Sequence, residues 1–452
     1  MDDNVGQGQD DPLDRLIARR PWSRFRLTLL FLCFAVTLLD GLHQQTLGVV
    51  GPALLRDISM TSTGLGLLMS ASELGFMLGA FALSPLTDRY GRKRMLIWAT
   101  LAFGGFSIAT AFAQSLPLLW TARFATGIGL GCAGPAVVSL VTEYSPSRHR
   151  ARIATLIWAA NPAGAVASAL LAGWIVPAYG WQALFLLAGG ATVLLAIAMV
   201  LAVPESLRFL LLRAPGDPRI ARVLRLLGGD PSAIIGDIRP DPADTPVQTV
   251  PLRILFTGQN AIFTVSLWAS FFFTFMCLVA ILTWTVAILG RAGIGIETAT
   301  IVLAWNSVGG TIGVASAGWA MERLGGARLL LFGFVVGGLA IIGMSQSLDN
   351  IPLLTLLAGI TGLLIGGNTA GLIALAAGRY PTEVRATGLG WALAAGRLGG
   401  ASGPLAMGVI ASSKLAPPTL LASIAVPAAV AAVAMLPLLR KPSLDAPALL
   451  AT

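Results

Sequence analysis

The chain has 452 residues, 56% of them hydrophobic and 11% charged, with a formal net charge of +9 at pH 7 and a mean hydropathy of +0.80. This apolar excess excludes an ordinary soluble domain. Runs of roughly 20 apolar residues can cross hydrocarbon as helix, and their continuity, without period-two alternation, excludes a porin-like barrel.

Taken in chain order, the approximate spans are 27–50, 63–84, 95–113, 117–141, 153–176 and 182–203, then 260–289, 297–318, 329–347, 352–377, 386–412 and 418–439. The expectation is an all-α integral membrane protein of twelve transmembrane helices in two six-helix bundles. Glycines recur inside the spans, as in Gly127-Ile128-Gly129-Leu130-Gly131, Gly309-Gly310 and Gly366-Gly367. Small residues there let helix backbones approach closely. The segment 1–26 is polar and acidic before it turns basic, unlike a cleavable signal peptide, so the first span serves as its own insertion signal.

The long interruption, 205–256, carries Pro-Gly-Asp and Pro-Asp-Pro-Ala-Asp turn clusters. Within it, 207–213 and 219–227 read as short amphipathic helices and 228–250 as a flexible linker. The organisation is therefore a cytoplasmic tail 1–26, a first bundle 27–204, a cytoplasmic central loop 205–256, a second bundle 257–440 and a cytoplasmic tail 441–452. The other loops are short and leave no room for a soluble enzyme domain, and no nucleophile–base constellation is visible. Cys33, Cys132 and Cys277 all lie in apolar spans, which excludes an external disulfide framework, and no spacing suggests a metal site or a cofactor.

With the N-terminus inside, the great majority of the 30 Lys and Arg fall on cytoplasmic segments, while the outer loops hold Arg56, Arg291 and Lys414. This positive-inside bias places both termini in the cytoplasm. The basic excess is topology, not a nucleic-acid footprint.

A charged turn, Ser84-Pro85-Leu86-Thr87-Asp88-Arg89-Tyr90-Gly91-Arg92-Lys93-Arg94, separates spans 2 and 3, and a weaker copy, Gly318-Trp319-Ala320-Met321-Glu322-Arg323-Leu324-Gly325, separates spans 8 and 9. Asp88, Arg89 and Gly91 map onto Glu322, Arg323 and Gly325 at one constant offset, the mark of two related bundles that rock about a central site. Arg92, Lys93 and Arg94 can anchor to anionic headgroups. Asp88 can cap a helix or pair with an Arg in one conformation only, which biases the equilibrium between states. Glu143, after span 4, joins this inner charge network. Asp88, Gly91, Arg92, Glu143, Glu322 and Arg323 are thus the candidate conformational switch.

Polar groups inside spans are functional-site candidates because they are costly in hydrocarbon. In Asp40-Gly41-Leu42-His43-Gln44, positions i, i+3 and i+4 share a helical face. Asp40 and His43 are candidate proton carriers and Gln44 a substrate contact or scaffold. Glu73, in span 2, can pair with Arg123 or with a residue of span 11, or be held protonated. Arg123 in span 4 and Arg397 in span 11 carry a planar fork that matches a carboxylate; two such groups from opposite halves could bracket an anion, or each could neutralise a buried acid. Arg123 could instead steer the coupling proton. Among the scattered aromatics, Trp391 is a candidate platform for a flat ligand. Asn161, Asn306 and Asn368 suit interhelical hydrogen bonds.

Several of these motifs resemble a known family. The segment Ser84 to Arg94 resembles the signature between helices 2 and 3 of the major facilitator superfamily, with Ser84 where that motif begins with Gly. Arg123 with Gly127 resembles its helix-4 Arg motif, and Pro204-Glu205-Ser206-Leu207-Arg208 the segment ending helix 6 in sugar porters and aromatic-acid transporters. Asp40-Gly41-Leu42-His43 resembles the Asp-Gly-x-Asp motif of the aromatic acid:H+ symporter family, with His43 in place of the second Asp. Tyr380-Pro381-Thr382-Glu383-Val384-Arg385-Ala386-Thr387-Gly388, followed by Gly396-Arg397-Leu398-Gly399-Gly400 and Gly403-Pro404, is also similar to that family.

The resemblance implies a proton-coupled secondary transporter that imports an aromatic carboxylate such as a hydroxybenzoate by alternating access. Asp40, Arg123, Glu143 and Arg397 are the functional positions it carries over. The partners it implies are a small organic acid, protons and membrane lipid, with the chain acting as a monomer. The alternative is a sugar-porter-like or efflux (proton antiport) carrier. Sugar porters usually show paired Gln in span 7, absent from 260–289, and antiporters a Gly-Pro motif in span 5, where this chain has Asn161-Pro162.

Overall fold

The computed structural model describes residues 23–83, 86–146, 149–213, 216–227, 255–256, 259–380, 382–413 and 415–439. The expected linker 228–250, the tail 441–452, nearly all of the tail 1–26 and the side chain of Asp88 lie outside the described residues.

All regular structure among the described residues is helical, as hydrocarbon requires of a chain that must satisfy its own backbone polar groups. The first half contains α1 (Arg24–Asp57), α2 (Ser62–Leu78, extended by a π turn Gly79–Leu83), α3 (Leu86–Tyr90), α4 (Arg92–Ala111), α5 (Leu116–Glu143), α6 (Arg150–Trp158) and α7 (Ala160–Ala202). Two short helices follow, α8 (Leu207–Arg213) and α9 (Pro218–Leu227), close to the amphipathic segments expected there. The second half contains α10 (Gln259–Arg291), α11 (Ile296–Leu324), α12 (Gly326–Gln346), α13 (Ile351–Thr361, continued by a π turn Gly362–Gly366), α14 (Gly367–Arg379), α15 (Thr382–Ser412), α16 (Pro417–Ser423) and α17 (Ala425–Met435).

Local signals start these helices. Ser23 caps α1, accepting from the Arg26 amide at 3.4 Å, and Thr61 caps α2, accepting from the Gly64 amide at 3.1 Å. Asn350 caps α13, whose first turn holds a proline, a residue that lacks only a donor the first turn would leave unpaired. Ten helical stretches among the described residues are long and apolar enough to cross a membrane. The spans expected at 153–176 and 182–203 merge into one of these, Arg152–Ala202, of 51 residues. It breaks at Gly180, whose φ of 78° and ψ of 168° are not helical. The span expected at 386–412 lies within α15, a 31-residue helix that is not among the ten.

Glycine seams build each half. On α2 and α5, a Cβ at Gly75 or Gly79 would meet the carbonyl of Phe124 or Ile128, and one at Gly127 or Gly131 the carbonyl of Ser72 or Phe76. The second half repeats the seam between α11 and α13, where Gly309 and Gly313 face the carbonyls of Gly359 and Leu363, and Gly362 faces that of Asn306. Gly75 and Gly79 map onto Gly309 and Gly313 at the same offset that relates Asp88 to Glu322. The turns match as well: Gly91 and Gly325 both have positive φ, 103° and 83°.

The two halves meet near the ends marked by Ser62 and Arg291. There Gln45 donates to the Leu282 carbonyl at 2.8 Å, Ser70 to the Ala401 carbonyl at 2.7 Å, and Arg291 to the Ser62 hydroxyl at 2.5 Å. Gly48 abuts the Leu282 backbone, Gly66 that of Pro404, and Gly173 approaches Thr300. These contacts all lie on the side of the bilayer away from the Gly91 and Gly325 turns.

Candidate functional site

Three polar clusters lie within the helical spans. Asp40 sits at the middle of the 34-residue α1 and is 5% exposed. Its two carboxylate oxygens each accept from an amide: Oδ1 from Gln44 at 2.8 Å and Oδ2 from Asn161 at 3.0 Å. The α1–α7 approach that permits this is close, since Gly41 packs on the Asn161 carbonyl and Gly164 on that of Leu38. Asn161 is thus part of the Asp40 site; its presence beside Pro162 in an apolar span was the signal.

His43 takes a different direction from its neighbour. It is fully buried, its Nε2 lies 2.9 Å from Thr192 Oγ1, and its ring stands edge-on to Phe103 at 5.3 Å. The Thr192 hydroxyl donates its own proton to the Ala188 carbonyl at 2.8 Å. Thr192 therefore accepts from His43, which makes the imidazole the Nε2–H tautomer. Its Nδ1 has no hydrogen-bond partner among the described residues. Asp40 and Gln44 are hydrogen-bonded to each other, while His43 faces the α4 and α7 side.

Arg123, fully buried on α5, donates to the Ser72 hydroxyl at 3.2 Å and to the His43 carbonyl at 3.2 Å, and lies over the Phe185 ring at 5.4 Å. Its partners are neutral; no carboxylate within ion-pair distance is found among the described residues. Glu73 pairs instead with Arg397, Nη1 to Oε2 at 3.6 Å, with side-chain exposures of 26% for the Arg and 13% for the Glu. That separation is an ion pair without a close hydrogen bond. The guanidinium also sits 3.8 Å above the Phe76 ring and 5.7 Å from Phe275. This pair joins α2 of the first half to α15 of the second.

Trp391, also on α15, is 48% exposed and stacks on Trp268 with centroids 6.0 Å apart and ring planes 18° from parallel. Six residues separate it from Arg397, about 9 Å along the helix. Phe76 was not singled out in the sequence, because an apolar residue in an apolar span carries no mark.

The candidate switch residues gather at the Gly91 end of the first half. Arg92 donates to Glu143 Oε2 at 2.7 Å. The same oxygen accepts from the Ser206 hydroxyl at 2.6 Å, and Oε1 from the Arg208 amide at 2.9 Å. Glu205 accepts from the Lys93 amide at 2.9 Å and lies where a Cβ on Gly91 would point. Tyr144 donates to the Glu205 carbonyl at 3.1 Å, and burial, then the adjacent Glu143 carboxylate, push its phenol well above the ordinary range. The network ties the ends of α4, α5 and α8 together. Glu205 was quoted in the sequence only within a resemblance, although its carboxylate caps α4. In the second half Glu322 is exposed, and Arg323 lies over Trp319 at 4.8 Å.

No group of three or more His, Cys, Asp or Glu arranged to hold a metal occurs among the described residues.

Comparison with known proteins follows the same lines. The family model described as Major Facilitator Superfamily matches residues 30–344 and 287–450. The 4-hydroxybenzoate transporter PcaK of Pseudomonas putida is 32% identical over 397 residues, covering 88% of each chain. The gallate transporter of Pseudomonas putida is 33% identical over 430 residues, covering 94% of this chain and 95% of its own. The 3-(3-hydroxy-phenyl)propionate transporter of Escherichia coli (strain K12) is 32% identical, covering 85% and 87%. Among solved structures, a bacterial homolog of the human lysosomal transporter Spinster, inward-facing and occupied, superposes with a TM-score of 0.72 at 15% identity, covering 92% of this chain and 97% of that one. The xylose transporter XylE from E. coli, partially occluded and inward open, gives 0.70 at 16% identity, with the same coverage. These two likenesses concern the fold alone.

Proposed function

The chain belongs to the major facilitator superfamily, a family of membrane transporters and not enzymes, and on that premise we propose that it imports a small aromatic carboxylate together with protons. The observation that carries the proposal is the Glu73–Arg397 pair at 3.6 Å, which spans the two halves beside the rings of Phe76 and Phe275. A guanidinium bordered by flat rings suits an aromatic acid: the fork takes the carboxylate and the rings take the π-face. Trp391 on Trp268 extends the aromatic surface along α15. The relatives named as 4-hydroxybenzoate, gallate and 3-(3-hydroxy-phenyl)propionate transporters support the same substrate class.

Proton coupling follows from competition for Arg397. While Glu73 is ionised it holds the guanidinium; when it takes a proton, Arg397 is free to hold the substrate carboxylate. Asp40, with Gln44 and Asn161 on its oxygens, is the second proton carrier. His43 and Arg123 position α1 against α4, α5 and α7: the imidazole holds Thr192, and the guanidinium holds the His43 carbonyl. His43 and Arg123 border the proton path, and Gln44 orients Asp40. Asp88, Gly91, Arg92, Glu143, Glu322 and Arg323 act at the turns that shift as the halves rock.

Twelve crossings arise if Arg152–Ala202 crosses twice about Gly180 and α15 crosses once. They form two bundles, 27–204 and 257–440, joined by 205–256, in an inner membrane with both termini cytoplasmic and with the chain acting as a monomer. Contacts on the Ser62–Arg291 side then close the outer half, which is the inward-facing stage of alternating access.

The test is uptake of labelled 4-hydroxybenzoate and gallate into proteoliposomes with and without an inward proton gradient. Gradient-driven accumulation that Asp40→Asn abolishes supports symport. Transport of neither acid, or uptake indifferent to the gradient, refutes it.

A further inference from the structure

At the Gly91 end of the first half lies a cavity of about 440 Å³ that the transport path does not use. Four cations border it, Lys93 and Arg94 from the first turn of α4 and Arg219 and Arg222 from α9. Two acids partly offset them. Glu205 is taken up by the Lys93 and Ser206 amides, and Asp217 by Arg219 at 2.6 Å. Arg94 and Arg222 are exposed, so the cavity presents net positive charge.

Its remaining wall is apolar and comes from the last turn of α7, with Val200 and Leu201, and from Val223 and Leu226 of α9. This wall continues into the membrane. Leu194, Ile197, Val200 and Leu201 are 69%, 51%, 49% and 83% exposed, and their spacing puts them along one face of α7. Meanwhile α9 buries Ile220, Val223, Leu224 and Leu227 against the protein, which fixes Arg219 and Arg222 over the cavity. A cationic cavity at the end of an outward apolar stripe has the outline of an amphiphile with an anionic phosphate ester at its head. A soluble phosphate would use the cations and leave the stripe idle.

We propose that this cavity binds the headgroup of an anionic phospholipid, its phosphate among Lys93, Arg94, Arg219 and Arg222 and its acyl chains along Leu194 to Leu201. The bound lipid links α9 to α4 and thus adds to the Arg92–Glu143 network that holds the same end of the bundle.

The full-length protein in detergent is titrated with phosphatidylglycerol, phosphatidylcholine and glycerol 3-phosphate, with binding read by native mass spectrometry and by thermal shift. Phosphatidylglycerol should bind the wild type in preference to both others. Arg222→Gln should weaken it about fivefold, and Arg94→Gln with Arg222→Gln about 25-fold, the effect expected of one and two interfacial cations. Arg225→Gln removes the same charge from an exposed position of α9 outside the cavity and should change binding less than about twofold. Equal losses in Arg222→Gln and Arg225→Gln overturn the proposal, as does equal binding of phosphatidylcholine. Glycerol 3-phosphate bound as tightly as the lipid assigns the cavity to a soluble phosphate and overturns it too. The wild-type arms decide the matter even if a variant fails to fold.

Discussion

Replacing Glu73 by Gln removes the charge that, in the proposed mechanism, competes with substrate for Arg397, and keeps the side chain's volume. Two unit charges 3.6 Å apart attract by about 4–5 kcal/mol at an effective dielectric of about 20. The Arg side chain is 26% exposed, and both groups surrender hydration to pair, so the net value falls to about 1–2 kcal/mol. In the wild type a substrate carboxylate must displace that interaction whenever Glu73 is ionised, so its affinity rises as pH falls and Glu73 takes a proton. In Glu73→Gln the competitor is absent at every pH. The expected Kd for 4-hydroxybenzoate at alkaline pH is therefore about 5- to 30-fold below that of the wild type, and its pH dependence is flattened. Counterflow exchange in proteoliposomes should persist, because exchange needs no net proton movement, while accumulation driven by a proton gradient should fall, with Asp40 left as the one remaining proton carrier. Isothermal titration across pH and paired counterflow and accumulation assays measure both effects. A variant that keeps the wild-type pH dependence, or accumulates substrate to the wild-type level, refutes the competition mechanism.

Three further outcomes follow from the contacts. Arg397→Lys keeps the charge but loses the fork and the stacking 3.8 Å above Phe76; carboxylate affinity should drop about 5- to 30-fold, the equivalent of about 1–2 kcal/mol, and unchanged affinity in a binding titration removes Arg397 from the site. Thr192→Val takes away the oxygen that His43 donates to at 2.9 Å and leaves a buried N–H unpaired, costing about 1–3 kcal/mol; thermal unfolding in detergent should show the loss, and an unaltered midpoint contradicts the assigned tautomer. Gly131→Val drives a side chain into the Phe76 carbonyl on α2; the yield of monodisperse protein should collapse, and a normally folded, active variant contradicts the seam.

Much of this architecture was legible because its causes are local or periodic. Span length follows from hydropathy, and where Lys and Arg fall gives an expected sidedness. The pairing of Asp88 with Glu322 and of Gly91 with Gly325 is a spacing that can be read from the chain, and the positive φ at both glycines agrees with it. The break at Gly180 was legible too, since expected spans 5 and 6 end and begin on either side of it and its φ and ψ are not helical. Polar residues in apolar spans were visible as a set, Asp40, His43, Glu73, Arg123, Asn161 and Arg397, because hydrocarbon makes each of them costly.

What the sequence by itself determined, then, is a helical membrane chain built of two related halves, and a short list of polar groups that are costly inside its spans. Only the tertiary structure decided who meets whom. Glu73 had Arg123 and span 11 as rival partners, and it is Arg397 of α15, over 300 residues away, that lies beside it. Arg123 meets a hydroxyl and a carbonyl, His43 turns to Thr192, and Asp40 is held by Asn161 from α7. The physical reason is that hydrophobicity sets whether a segment enters the membrane but hardly constrains its rotation about its own axis. Rotation is set by the glycine seams, where backbones approach closely enough to lock one helix face against another, and those contacts exist only once distant segments have packed.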